Sequence, residues 1–249
     1  MLDEKDTSVG ADAKTPDAET GTPTPKRGRK APLTIAVVAA IVLVAGAGFW
    51  VWHEQPSFCN AICHTPMDAY NLTYDQQPGQ AGVDKWGNAV ESTSGMLAVT
   101  HRAEAETTCM GCHVPQISEQ VSEGIGWVTG NYEVVATSND LFVPQERSLS
   151  HLTAARGIAS EAFCLNEACH TLADGTPMTR ADLVEATADL DRNPHEERHG
   201  PVACDECHKA HRESVNQCSQ CHADAPIPEG WITVADEKER LNGALVAAE

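Results

Sequence analysis

The pattern of polar and apolar positions divides the chain unevenly. Residues 1–32 are polar, rich in Pro, Thr, Gly and Ala, with six acids balanced by six bases. Such a segment cannot bury a core, so the pattern predicts a disordered tail. From Leu33 to Trp52 no residue is charged. About twenty residues at a rise of 1.5 Å match a hydrocarbon layer of roughly 30 Å, which predicts a transmembrane helix over 33–52. Phe49, Trp50 and Trp52 at its far end suit an interfacial aromatic belt. A cleaved signal peptide competes with this reading: Leu33–Val44 could be its apolar region and Ala45-Gly46-Ala47 its cleavage site. The long polar stretch ahead of it and the continuation of the run to Trp52 favour an uncleaved anchor.

Beyond residue 53 the pattern is one of short helices and long loops. Helical periodicity runs over Thr93–Glu106, over Ser148–Phe163 with Ser148 as cap, over Thr179–Asp191 with a Thr-x-x-Asp capping box, and over Val234–Glu249. Little alternation suggests strands, and there is no clean internal repeat. The fold class expected is mainly α with long loops: a tail at 1–32, a membrane helix at 33–52, one extracytoplasmic domain at 53–232, and a C-terminal helix or tail at 233–249.

Composition sharpens the picture. Hydrophobic residues make up 41% but aromatics only 5%, so a conventional aromatic core is lacking and something else must hold the domain together. The net charge is −19, and because the tail is balanced, all of it falls after residue 32. Nucleic acid as a partner is excluded by the absence of a basic face.

The ten cysteines form five pairs, and histidine follows the second cysteine of each. They are Cys59…Cys63-His64, Cys109…Cys112-His113, Cys164…Cys169-His170, Cys204…Cys207-His208 and Cys218…Cys221-His222. Three are C-x-x-C-H, the attachment signature of c-type haem, while the first has three intervening residues and the third has four. The spacing lets each cysteine form a thioether with one haem vinyl group while the histidine is carried beneath the iron. An extra residue or two can bulge outward without moving the Cys-His step. Disulfides would give no reason for histidine after every second cysteine, and zinc pairs leave the same step unexplained. With eleven histidines in 249 residues, chance would place all five roughly once in ten million. The cofactors expected are five covalently attached c-type haems.

Six histidines remain: His53, His101, His151, His195, His199 and His211. Five six-coordinate haems need five distal ligands, and His101, His151, His195, His199 and His211 are the candidates. His53, at the end of the apolar run, reads as interfacial. The basic residues Lys26, Arg27, Arg29 and Lys30 precede the apolar run, so the positive-inside rule places the N-terminus in the cytoplasm and the haem domain on the extracytoplasmic face of the cytoplasmic membrane.

From Phe58 to the end of the fourth motif, about two-thirds of the chain, the sequence resembles the membrane-anchored tetrahaem quinol dehydrogenases of the NapC/NirT and NrfH type. The resemblance is carried by the single N-terminal helix, Phe58-Cys59…Cys63-His64-Thr65 with Met67 nearby, His101 ahead of Cys109…His113-Val114-Pro115, and His199-Gly200 before Cys204-Asp-Glu-Cys207-His208-Lys209-Ala210-His211. Both motif one and motif three are lengthened relative to that family. The fifth motif lies beyond its pattern and resembles class III multihaem cytochromes, and the ending also looks like the haem domain of flavocytochrome fumarate reductases.

The resemblance implies quinol oxidation at the membrane and electron delivery to a separate reductase, either a flavoprotein of the fumarate reductase type or a cytochrome c nitrite reductase, in an anaerobic respiratory chain. It also implies Met67 as a possible ligand of the first haem, the alternative being an ordinary loop methionine. Quinol releases two protons with its two electrons, and Asp68, Asp84, Lys85 and His53 are the candidate acceptors beside that haem. A different class of function, a terminal reductase of the nitrite or hydroxylamine type, would need one haem with an open coordination position. A haem-based sensor has only the long tail in its favour.

Overall fold

The computed structural model describes residues 31–114, 116–154 and 158–244, with the side chains of residues 31, 63–66, 154 and 244 left out. Of the tail expected at 1–32, residues 1–30, including the basic cluster, lie outside the described residues, as do the last five residues, while residues 31 and 32 already belong to the first helix. The chain divides into two units, residues 1–46 and residues 47–249. Most of helix α1 (Ala31–His53) belongs to the first. It begins two residues before the expected membrane helix and ends one residue after it. Among the described residues, Pro32–His53 is the one helix long and apolar enough to cross a membrane by length and composition.

The second unit starts with the end of α1 and folds at once into an aromatic cluster. The rings of Phe49 and Trp52 lie 5.6 and 5.0 Å from that of Phe58, both edge-on. Helix α2 (Pro56–Tyr74) starts with proline in its first turn, where the missing N–H costs nothing, and it carries the whole of motif one. Two short strands, β1 (Gly82–Val83) and β2 (Ala89–Val90), pair antiparallel. A 3-10 turn at Thr93–Gly95 leads into α3 (Leu97–Ala105), which carries His101. The expected helix over 93–106 is therefore broken at Met96, which has extended backbone. Glu106 stops α3 in the left-handed conformation.

Motif two is itself one turn of helix, α4 (Cys109–Cys112). Helix α5 (Ile117–Thr129) follows, closed by Gly130 at φ 71°. Strands β3 (Val134–Ala136) and β4 (Phe142–Pro144) form a hairpin. The helix expected over Ser148–Phe163 is two pieces, α6 (Leu149–Ala154) and α7 (Ser160–Cys164), with non-helical backbone at Ile158 and Ala159. Ser148 does cap the first piece, accepting the His151 N–H at 3.2 Å. Helix α8 (Arg180–Ala186) opens on the expected capping box, Thr179 with Asp182, and ends five residues short of Asp191. Motif four is again one turn, α9 (Cys204–Cys207). Strand β5 (Ser214–Asn216) pairs in parallel with β6 (Trp231–Thr233), and α10 (Val234–Ala244) closes the described chain.

Apolar burial is divided among three small clusters. Ala69, Trp86 and Val143 form one, Val90, Met96 and Val99 a second, and Val215, Ile232 and Val234 the third. Backbone contacts join them. Leu97 and Ala98 donate to the carbonyls of Lys209 and Ala210 at 2.9 and 3.0 Å, and Lys85 donates to that of His211 at 2.9 Å. The segment after motif four is thereby held against the start of α3. A close backbone approach locks the same region: a Cβ on Gly95 would lie 1.9 Å from the Gly230 carbonyl oxygen.

Gly95→Ala is therefore expected to destabilise the domain by about 1–3 kcal/mol through overpacking against backbone that cannot yield. Gly124→Ala, in α5 with nothing within 4 Å of the added Cβ, should be stabilising by about 0.5–1 kcal/mol. Thermal unfolding followed by circular dichroism distinguishes the two.

Candidate functional site

The motifs share one backbone closure. The histidine N–H donates to the carbonyl of the first cysteine in motif two at 2.7 Å, in motif four at 2.9 Å and in motif five at 2.9 Å. Motif three, with two more residues between its cysteines, makes the same bond from His170 to Cys164 at 3.2 Å. Its extra residues fold into a separate turn held by Asn166, whose side chain donates to the Phe163 carbonyl at 2.7 Å and accepts the Ala168 N–H at 2.9 Å. Lengthening therefore leaves the relation of first cysteine to histidine intact. Motif one lies within α2, and the side chains of Cys63 and His64 are outside the described residues.

Thiols of successive motifs lie beside one another. Cys59 is hydrogen-bonded to Cys109, and Cys164 to Cys204. Cys112 is close enough to Cys169, and Cys207 to Cys218, for the charge of one thiolate to act on the other. The five motifs therefore follow one another in space in the order of the sequence.

Motif histidines two to five each face a second histidine. Ring centroids are 6.5 Å apart for His113 and His211, 6.0 Å for His170 and His101, 6.4 Å for His208 and His195, and 6.2 Å for His222 and His199. An imidazole nitrogen sits about 2.0 Å from a first-row metal, and adding the radius of each ring puts two trans imidazoles roughly 6 Å apart. All four pairs fit one iron between two rings. The ring planes are 7° apart at His208–His195, 27° at His113–His211, 33° at His222–His199 and 89° at His170–His101.

Hydrogen bonds fix the tautomer of three of the second histidines. The Leu97 carbonyl can only accept, so His101 carries its proton on Nδ1, 2.8 Å away. The Thr73 hydroxyl gives its one proton to the Tyr70 carbonyl at 2.9 Å and so accepts from His211 Nδ1 at 2.8 Å. The Thr187 hydroxyl faces the acceptors Leu183 O at 2.7 Å and Asn193 Oδ1 at 2.8 Å, which leaves it to accept from His195 Nδ1 at 3.1 Å. In each case Nε2 keeps its lone pair for a metal.

Electrostatics favour the same neutral, metal-binding form. Burial, with the His113 charge second, pushes the His211 ring down to about 3. Burial and the His195 charge push His208 down to about 4. His195 and His170 are lowered for the same first reason, burial. The donor set also distinguishes the metals. Among the described residues no three of His, Cys, Asp or Glu converge on a metal position. Zinc sites use three or four protein ligands, whereas haem brings four equatorial nitrogens and would need at most two from the protein. The nine described cysteines are all free of disulfides.

The other candidates are scattered. His151 is exposed on α6, a helix whose first residue, Leu149, donates to Asp205 of motif four at 2.7 Å. Met67 is half-buried on α2, three positions after His64. Asp68 is exposed on the same helix. His53 stacks on Trp50 at 5.8 Å, lies edge-on to Phe58 at 4.9 Å, and pairs with Glu54 at 3.3 Å.

Asp84 and Lys85 are buried and already engaged. Asp84 accepts the Trp86 and Asn88 N–H groups at 2.8 and 2.9 Å, closing the turn between β1 and β2. Lys85 lies 3.0 Å from Glu146, which also holds Arg212 at 3.1 Å. Burial pushes Lys85 below the usual lysine range, against the pull of Glu146. Sequence reasoning missed Glu146, Thr73 and Thr187, because lone Glu and Thr carry no motif.

A family model described as cytochrome c3 matches residues 150–223, a span that holds motifs three to five. The cytochrome c-type protein Cgr1 of Eggerthella lenta is 56% identical over 224 residues, covering 90% of this chain and 96% of that protein. No solved structure matches the chain.

Replacing His101 by alanine is expected to leave every attachment cysteine in place and to open one coordination position. Low-temperature EPR of the oxidised protein should then show one high-spin haem absent from the parent, with the haem content per chain unchanged.

Proposed function

The chain belongs to the multihaem c-type cytochromes, the family of its relative Cgr1, and from that premise we propose that it is a membrane-anchored five-haem conduit that oxidises quinol, menaquinol included, and hands electrons to an extracytoplasmic reductase. The observation that carries this reading is the set of four histidine pairs at iron-binding separation, strung along motifs that follow one another in order. The relatives support covalent haem and electron transfer, and the further reading rests on the anchor-like α1 and on the array.

Haem bound at these positions would supply a series of one-electron carriers. The residues supply the rest. Cys109, Cys112, Cys164, Cys169, Cys204, Cys207, Cys218 and Cys221 hold the macrocycles, together with Cys59 and Cys63 in motif one. His113 with His211, His170 with His101, His208 with His195, and His222 with His199 are the proposed axial pairs.

Motif one stands apart. His64, the motif histidine, and Met67, three positions later in sequence, are the proposed ligands this segment would offer. His151 is the remaining histidine for the opposite side of that haem, although α6 is docked on motif four.

Quinol oxidation also needs a proton acceptor at the membrane end. His53 and Glu54 form a hydrogen-bonded pair against the Trp50 and Phe58 rings, where an apolar quinol ring can lie beside a group able to take its proton. Asp68 is exposed one turn beyond motif one. Asp84 and Lys85 serve the fold in this reading. Motif one begins seven residues after Trp52 in sequence, which makes it the proposed entry for electrons, and the proposed acceptor is a flavoprotein of the fumarate reductase type or a cytochrome c nitrite reductase.

Purified protein in liposomes should be reduced by menaquinol, as read in the haem absorbance bands, and a complete lack of reduction overturns the reading. The double variant His53→Ala with Glu54→Gln should slow menaquinol oxidation by about a hundredfold while chemical reduction by dithionite stays at the parent rate.

A further inference from the structure

We infer that Thr73 is a positioning residue through which the helix bearing motif one sets the orientation and redox potential of the haem at motif two. The inference rests on the reading of His211 and His113 as an axial pair. Thr73 is fully buried near the C-terminal end of α2, more than two turns beyond His64 on the same helix. Its hydroxyl proton is committed to the Tyr70 carbonyl, so its oxygen lone pair faces His211 Nδ1 at 2.8 Å. The Tyr70 ring stands edge-on to the imidazole at 5.0 Å and 86°, and Tyr70 is itself tied to the Pro144 carbonyl at 3.4 Å. The imidazole is thus held on two sides by residues of a single helix turn.

The next residue extends the coupling. Tyr74 donates to the Thr107 carbonyl at 2.9 Å, two residues before Cys109. One helix therefore carries the attachment of motif one, orients the distal ligand at motif two and clamps the approach to motif two's first cysteine.

The chemical consequence follows from the direction of the hydrogen bond. An acceptor on Nδ1–H raises the electron density that the imidazole offers through Nε2, which favours ferric over ferrous iron and lowers that haem's potential. The rotation of His211 about its metal bond is fixed as well, and its plane lies 27° from that of His113. Thr187 stands in the same relation to His195 at motif four, so the chain holds an internal control at a different haem.

The test compares Thr73→Val, Thr73→Ser, Thr187→Val and His211→Ala in full-length, haem-loaded protein, by spectroelectrochemical titration and low-temperature EPR. Thr73→Val keeps the shape and removes the hydroxyl. It is expected to raise one haem potential enough to shift its electron-sharing equilibrium with the other haems about tenfold, equivalent to about 59 mV for one electron. A single low-spin EPR component should move with it. Thr73→Ser should restore the parent values, and Thr187→Val should move a different component.

If valine and serine shift the potential equally, packing rather than the hydroxyl is responsible and the inference fails. It fails too if Thr73→Val moves nothing while His211→Ala creates a high-spin haem. If His211→Ala leaves every haem low-spin, the pairing beneath the inference is overturned instead.

Discussion

The separation that two imidazoles would need to share one metal is the spacing that four histidine pairs keep in this chain. Each pair joins a histidine fixed by its motif to one supplied from elsewhere: from α3 for His170, from the segment after motif four for His113, and from the loop between α8 and α9 for His208 and His222. Two rings about 6 Å apart leave a narrow tolerance, so the elements that present them must be held firmly. The protein meets this with local backbone bonds and with hydroxyl or carbonyl acceptors on Nδ1, not with a large apolar centre. Its three apolar clusters are small and separate. In a family that carries covalent haem, the macrocycles contribute the contiguous apolar surface that 5% aromatics cannot.

The five Cys…Cys-His motifs are legible in the sequence because covalent attachment of haem would dictate such spacing residue by residue. Of the five spare histidines named from the sequence as distal candidates, four face a motif histidine, but which faces which was not legible. His211 lies three residues after a motif histidine and yet faces His113, nearly a hundred positions earlier, because Leu97, Ala98 and Lys85 draw its segment back onto α3 and β1. Such contacts leave no periodicity.

Helix α2 was missed because Pro66 interrupts any helical pattern, although the helix continues through it to Tyr74. Helix α5 was missed despite Ile117, Val121, Ile125 and Val128, a helical spacing that could have been read. The strands are two or three residues long, too short for alternation to register. The helix over Ser148–Phe163 was overextended, since a good cap starts a helix but does not set its length, and the backbone at Ile158 and Ala159 is not helical.

Charge is distributed by the same logic. Eleven basic residues follow position 32, and among the described ones eight make internal ties. Lys85 and Arg212 share Glu146, Arg212 reaches Glu237, Arg240 reaches Glu213, Arg180 reaches Glu161, Arg192 reaches Asp224 and Arg198 reaches Glu196. Arg102 and Lys209 bond backbone carbonyls. Lys85 and Arg212 also flank the Trp86 ring, at 5.0 and 5.4 Å.

Burying these cations carries a desolvation cost, and breaking one partner away would strand the other. What the arrangement provides is register: Arg212 and Lys85 both adjoin His211, one as its neighbour in sequence and one through the backbone bond to its carbonyl. After position 32 acids outnumber bases 30 to 11, and a summed charge of that sign acts over distances that salt screens. The contacts of Lys85 and Arg212 with Glu146 are short-range and both cations are buried, so salt screens them much less.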